Sequence, residues 1–370
     1  MAALLAVLAS IVVAAAAEPK TCALYFDFHE KKSPSRVSHL YFGEVADDGT
    51  FEGGQRADLG LQYDPQGQLT IAPDGKSLAF TGIDNRTAHD HYGCCDRTAV
   101  IKVDIASGAS TMNHLARKKP VAGATCGLWG CGFLEIGQLV GDKVLGWVEP
   151  LLPPTPPGEA AAARAPSDDF GLTLAEFDLT TGEATATRPF ALHYGDAHSP
   201  QMTVGTAAFS GDKIYFACNP DQSNDAVEGV CSAPTAPSKD PAEVGAIPFE
   251  DQSYTITSVE YSEALEAPVV LAQKIPNENM TATKVYAATS PTFGVEALVD
   301  LGEALGSLHQ TTMSADGRYL MVLATTPSTE PQYPKQQLLT VDLVAKKVVK
   351  TIDVKDTGAF GIATLAAVAC

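Results

Sequence analysis

Residues 338–370 read LLTVDLVAKKVVKTIDVKDTGAFGIATLAAVAC. Residues 338–343 form a short apolar run with Asp342 inside it. Ala345-Lys346-Lys347 turns the chain, and residues 348–354 alternate back as a second strand. After Gly358 a third apolar run, 361–370, follows. Strand, tight turn, strand, loop, strand is the unit from which antiparallel all-β repeats are built.

Working outward, a polar turn running into an apolar strand recurs. It appears as APDGKSLAF (72–80), VGDKVLGWV (140–148), SGDKIYFAC (210–218) and SADGRYLMV (314–322), with a divergent copy in TITSVEY (255–261) and APVVLAQ (267–273). Asp and Gly supply the turn, Lys or Arg follows, and β-branched or large apolar residues build the strand. A second element, strand-turn-strand, follows the clearer copies: AVIKVDIASGASTM (99–112), LTLAEFDLTTGEATA (172–186) and 338–354. The same shape occurs near the N-terminus in YFGEVADDGTFE (41–52). Each copy places an acid near the end of its first strand: Asp104, Asp178, Asp342 and, less clearly, Glu44.

With strands labelled A to D, one unit is A, the Asp/Gly turn, B, a variable loop, C, a short turn, D. Four antiparallel strands per unit predict an all-β β-propeller. The turns count five units. A sixth forms when 361–369 supplies A and 23–28, 39–45 and 49–52 supply B, C and D, so that the two chain ends close the ring. Residues 231–249 are the region that would hide a seventh.

The last unit, TVDLVAKKVVKTIDVKDTGAFGIATL, resembles the YVTN-type propeller repeat: an acid, a turn, V-V-x-T-I-x-V, then G-x-x-x-x-G-I-A. The turns Ala72-Pro73-Asp74-Gly75 and Ser314-Ala315-Asp316-Gly317 resemble those of TolB-like repeats. The likeness is good over roughly the last 60 residues, moderate over 69–112 and poor in the middle. These repeats serve many functions, so the resemblance implies the fold and no activity.

The first 17 residues, MAALLAVLASIVVAAAA, are apolar and Ala-rich and carry no Lys or Arg. Ala15 and Ala17 suit a cleavage site, which predicts a signal peptide over 1–17 and a single propeller domain over 18–370. No long apolar segment follows, so the mature chain is expected not to insert in a membrane. Lys plus Arg number 25 against 44 Asp plus Glu, a formal charge of -19. That balance repels phosphate backbones and argues against nucleic-acid partners.

All eight cysteines follow the signal peptide, and an even count in an exported chain reads as disulfides. Spacing favours Cys126–Cys131 and Cys218–Cys231 as small loops. Cys22 and Cys370, at the two mature ends, would lock the ring. Cys94 and Cys95 are adjacent, so they either bond each other or reach different partners. Asn85 and Asn279 begin glycosylation triplets.

In a propeller the AB and CD connections open on one face and the BC and DA connections on the other. The AB and CD turns read as short. The long connections are BC (82–98, 149–170, 219–229) or DA (118–132, with Trp129, and 192–202). Residues 149–169, EPLLPPTPPGEAAAARAPSDD, form a Pro/Ala-rich insertion that suits neither strand nor core. Function concentrates on such loops, which places a binding surface on the BC/DA face.

His89 and His91, with Asp84 and Asp96 nearby, and His193 and His198, with Asp196, are the densest sets of metal-ligand types, suited to zinc. Calcium in the central channel is the other divalent candidate. Neither spacing matches a recognised zinc motif. No G-x-S-x-G elbow, phosphate loop, dinucleotide fingerprint or zincin motif occurs. The expectation is a secreted binding module, its partner an extracellular protein or a carbohydrate, with a homodimer left open. The alternative is a metal-dependent, lactonase-like hydrolase with its site in the central funnel.

Overall fold

The computed structural model describes residues 22–28, 38–58, 63–72, 76–84, 98–114, 135–148, 171–181, 184–193, 207–218, 229–236, 238, 245–251, 253–277, 280–289, 291–305, 308–326, 335–355 and 364–366. Among them are 24 β-strands and no helix. None of these residues therefore forms a helix long and apolar enough to cross a membrane.

The strands form six four-stranded antiparallel sheets, the blades. Blade one holds β1 (Cys22–Phe28), β2 (Ser38–Val45) and β3 (Phe51–Asp58). Blade two is β4 (Tyr63–Ile71), β5 (Ser77–Asp84), β6 (Thr98–Asp104) and β7 (Ser110–His114). Blade three is β8 (Glu135–Val140), β9 (Lys143–Val148), β10 (Gly171–Asp178) and β11 (Ala184–His193). Blade four is β12 (Ala207–Ser210), β13 (Lys213–Cys218), β14 (Gly229–Pro234) and β15 (Gly245–Pro248). Blade five is β16 (Thr255–Ser262), β17 (Ala267–Asn277), β18 (Met280–Ala287) and β19 (Val299–Leu305). Blade six is β20 (Leu308–Met313), β21 (Tyr319–Thr326), β22 (Lys335–Asp342) and β23 (Lys347–Asp353). The last strand, β24 (Thr364–Ala366), returns to blade one and pairs with β1, Leu24 opposite Thr364 and Cys22 opposite Ala366.

The ring is therefore closed by the two chain ends, as the sequence leads one to expect. Residues 231–249, the region that could hide a seventh unit, instead hold the C and D strands of blade four. The innermost strands β24, β4, β8, β12, β16 and β20 each neighbour the next around the axis, β20 meeting β24 to complete the circle.

The core lies between blades, which explains the unbroken apolar runs. A central propeller strand buries both faces, so successive residues pack into different seams. In β21, Leu320, Val322 and Ala324 join Val269, Leu271 and Val285 between blades five and six. Met321 and Leu323 point the other way, to Val45 and Ile352 between blades six and one. Likewise Val270 and Ala272 face blade four, meeting Ala217, Val230 and Phe249.

The Asp/Gly turns have distinct geometries. In blades three and four the two-residue hairpins place Gly141 (φ 62°) and Gly211 (φ 58°) first, as a type II′ turn requires. In blade six Ser314 organises the longer turn. Its hydroxyl donates to Asp316, and it accepts from the Tyr319 amide at 2.9 Å.

The acids at the ends of C strands are turn caps. Asp104 Oδ1 accepts from the amide and hydroxyl of Ser107, and Asp178 Oδ1 from the amides of Thr180 and Thr181. Asp342 Oδ1 accepts from the amides of Val344 and Ala345. In blade one the cap is Asp48, inside the turn, which accepts from the amide and hydroxyl of Thr50. Side-chain oxygens that bond the backbone two or three residues on are what make Asp a turn former.

Candidate functional site

The two faces are built differently. On the AB/CD face, the turns are engaged in contacts from blade to blade. Lys102 of blade two donates to Gly141 O and to Asp142 of blade three. Ser210 of blade four donates to Glu263 of blade five at 3.0 Å. Ser262 of blade five donates to Gly317 O of blade six. A Cβ on Gly317 (φ 67°) would lie 2.2 Å from Glu263 N, so only glycine lets these two turns touch.

At the seam between blades six and one, Lys350 pairs with Asp47 and Lys355 with Asp48, both on the CD turn of blade one. The Lys355 amide also donates to Gly49 O. The hydrogen bond from Lys355, then those from Thr50, hold the Asp48 carboxyl far below the usual carboxylate range. Arg318, which follows the Asp/Gly turn of blade six, donates through Nε and Nη2 to Asp342 Oδ2. Lys143 occupies the matching position in blade three and pairs with Glu176 at 2.7 Å. The basic residue after the turn thus ties the start of B to the end of C.

Two CD connections are long, 235–244 and 288–298, and correct the expectation that all are short. The second folds against the connection from blade four to blade five. Phe293 bridges Phe249, Thr292 donates to Glu250, and Phe249 packs on Tyr286 at 5.2 Å. Conversely, the BC connection of blade five is only 278–279.

On the BC/DA side, Cys218 and Cys231 form a disulfide with a Cα–Cα separation of 5.6 Å. Cys231 lies opposite Phe216, and Cys218 opposite Gly229, so the bond runs diagonally between strands B and C. Both cysteines are buried with Leu174 and Ile214 in the seam between blades three and four. It braces the base of 219–228 from within the core.

His193 is the last residue of β11 and pairs with Gly171. His89, His91 and His198 lie outside the described residues, as do Asn85, Asn279, Cys94, Cys95, Cys126, Cys131, Trp129, Cys370 and 149–170. Cys22 opens β1. Among the described residues no three His, Cys, Asp or Glu side chains converge as a metal site.

The site that sequence reasoning missed lies between innermost strands. β16 presents Val259 and Tyr261 toward blade four, where Tyr261 stacks on Tyr215 at 5.1 Å. Its alternate residues face blade six. Ser258 Oγ meets Thr311 Oγ1 of β20 at 2.5 Å, and Thr311 Oγ1 donates to Glu260 Oε1 at 2.8 Å. Ser258 and Thr311 are buried, while Glu260 keeps part of its surface open. Burial pushes the Glu260 carboxyl up to about 7, and the hydrogen bond from Thr311 offsets part of that rise. Among the described carboxylates it is the one raised; Asp48, Asp104, Asp178 and Asp342 are all lowered by their donors. The available signal was the one charged residue of an innermost strand, TITSVEYS, whose other polar residues are all hydroxyl-bearing.

No protein-family model and no curated protein matches the chain. Solved structures do. Hydrazine synthase of Kuenenia stuttgartiensis aligns at 16% identity over 80% of this chain and 68% of its own, with a TM-score of 0.43. A Dos1 propeller aligns at 11% identity over 79% of this chain and 64% of its own, TM-score 0.39. A prolyl endopeptidase aligns at 13% identity over 91% of this chain, which spans only 51% of that protein, TM-score 0.41. At these identities and scores the likenesses carry no argument about activity, and what the chain's own geometry establishes is a β-propeller.

Proposed function

We propose that this chain is an exported propeller with YVTN-type and TolB-like repeats, cleaved after residue 17, that recognises an extracellular protein or a carbohydrate through its BC/DA face. One observation carries the reading. The AB and CD turns are largely engaged in contacts between neighbouring blades, whereas the connections 85–97, 115–134, 149–170 and 194–206, all BC or DA, span the greatest lengths of sequence. The Cys218–Cys231 disulfide suits an oxidising compartment and stiffens the base of another BC connection. Rigid blades that carry variable loops are a common recognition architecture.

Residues 18–370 immobilised on a sensor, probed with arrays of extracellular protein domains and of glycans, provide the test. Replacing 149–170 by a two-residue Gly-Asp turn should weaken binding at least tenfold. An equivalent change in an AB turn should alter stability and leave affinity intact. Binding that survives shortening of all four long connections would refute this reading.

Glu260 favours a second reading, a hydrolase with its site on the propeller axis. A carboxyl titrating near neutrality beside two hydroxyls is suited to proton transfer. Ester or lactone turnover that is lost in Glu260→Gln would support it, and chelator sensitivity would bring in His89, His91, His193 and His198 as zinc ligands, or a calcium ion held by carboxylates and carbonyls in the central channel.

A further inference from the structure

The Ser258–Thr311–Glu260 chain crosses a seam, since its members belong to the innermost strands of two blades. Among the described side chains its surroundings are also charge-poor. Directly opposite Glu260 on β17 stands Val269, and Lys274, that strand's one ionisable residue, lies toward its far end. β12 carries no titratable residue. Lys213 and Tyr215 of β13 belong to blade four, on the side of β16 that Val259 and Tyr261 occupy. On β20 the titratable residue is His309, two positions before Thr311. Among the residues whose side chains are described, which do not include His309, Glu260 has Thr311 as its hydrogen-bond partner and no ion pair.

We propose that Glu260 is a proton-operated latch on the seam between blades five and six, holding the two innermost strands together in its neutral form and loosening them when it ionises. A neutral carboxyl accepts from Thr311 and rests in the seam without charge. An ionised one, part of whose surface is already open, draws water toward the buried hydroxyls of Ser258 and Thr311, and the seam loosens to admit it.

The direction follows from linkage. The folded carboxyl titrates near 7 and the unfolded one near 4.5, so between those values the folded chain holds a proton that the unfolded chain has lost. The latch therefore contributes fully below about pH 4.5 and is lost as pH rises through about 7. A difference of about 2.5 units corresponds to roughly 300-fold in the unfolding equilibrium.

The test is urea unfolding of residues 18–370 between pH 4.5 and 8.5, for the native sequence and for Glu260→Gln. The ratio of their unfolding constants should change by roughly 150-fold across that range, since the unfolded carboxyl is already half-ionised at its lower end, with the Gln chain gaining relative stability at high pH. Exchange of the β20 amides should speed up with pH beyond its intrinsic rate in the native chain alone. A ratio that stays constant overturns the latch. Should Glu260→Gln fail to fold, the 13C titration of the Glu260 carboxyl in the native chain decides: a midpoint near 7 is expected, and one below 5, as an ion pair with His309 would give, overturns it. Thr311→Val, which removes the hydrogen bond that lowers the pKa, should move the midpoint upward.

Discussion

Replacing Asp342 separates the two tasks that this side chain performs. It is 3% exposed and accepts four hydrogen bonds, two from Arg318 (3.1 and 2.7 Å) and two from the turn amides of Val344 and Ala345 (3.1 and 2.9 Å). Asp342→Asn keeps an oxygen for the turn amides and loses the charge. Arg318 is about one-third exposed and can return to water, so the cost is discounted to about 1–2 kcal/mol. Asp342→Ala also strips both amides of their acceptor, at about 1 kcal/mol each, for a total of about 3–4 kcal/mol.

Asp104 caps the equivalent turn of blade two. It is exposed and bonds only within that turn, so Asp104→Ala should cost much less than Asp342→Ala. Urea unfolding at pH 7 measures all three, and a cycle with Arg318→Met isolates a coupling of about 1–2 kcal/mol. The Arg318 hydrogen bond, with the turn amides adding to it, holds the Asp342 carboxyl below its ordinary value. Its contribution is therefore full above about pH 4 and is lost as pH falls through the folded value. Equal costs for Asp104→Ala and Asp342→Ala, or no coupling to Arg318, would refute the reasoning.

Gly49→Ala should be much worse than Gly211→Ala. Both glycines have positive φ, which costs an alanine about 1–2 kcal/mol. Only at Gly49 would the new Cβ meet a backbone oxygen, Asp353 O at 1.9 Å, so the seam between blades six and one should open, seen as faster proteolysis at the chain ends. Cys218→Ser with Cys231→Ser should lower stability by about 3 kcal/mol, as should reductant on the native chain, measured by urea unfolding. Lys350→Ala, which removes an exposed pair with Asp47, should cost less than about 1 kcal/mol, an effect that high salt erases.

The fold was legible because its signals are local. Asp-Gly turns followed by a base, a C-strand acid and apolar runs buried on both faces repeat along the chain, and each has its own physical cause in turn capping or two-sided burial. Even the role of the terminal runs could be read, since 361–369 lacked a partner and 23–28 lacked an A strand. Glu260 was not legible. Its environment depends on Thr311 in the next blade, 51 residues away in sequence, and on which face of β16 turns toward it. The long CD connection 288–298 was missed for a related reason. It looks like an ordinary loop until Phe293 meets Phe249, and Gly294 (φ 105°) brings the backbone so close that a Cβ there would lie 2.5 Å from that ring.

Closure of blade one by β24 also sets an order of events during synthesis. β1 to β3 leave the ribosome before the other strands of the ring, yet the edge of β1 that β24 covers stays unpaired until residues 364–366 have been made. While the intervening blades are made that edge remains a template for another chain, and the ring cannot seal however well those blades have folded. The three residues of β24 thus determine when the first blade stops being an aggregation hazard.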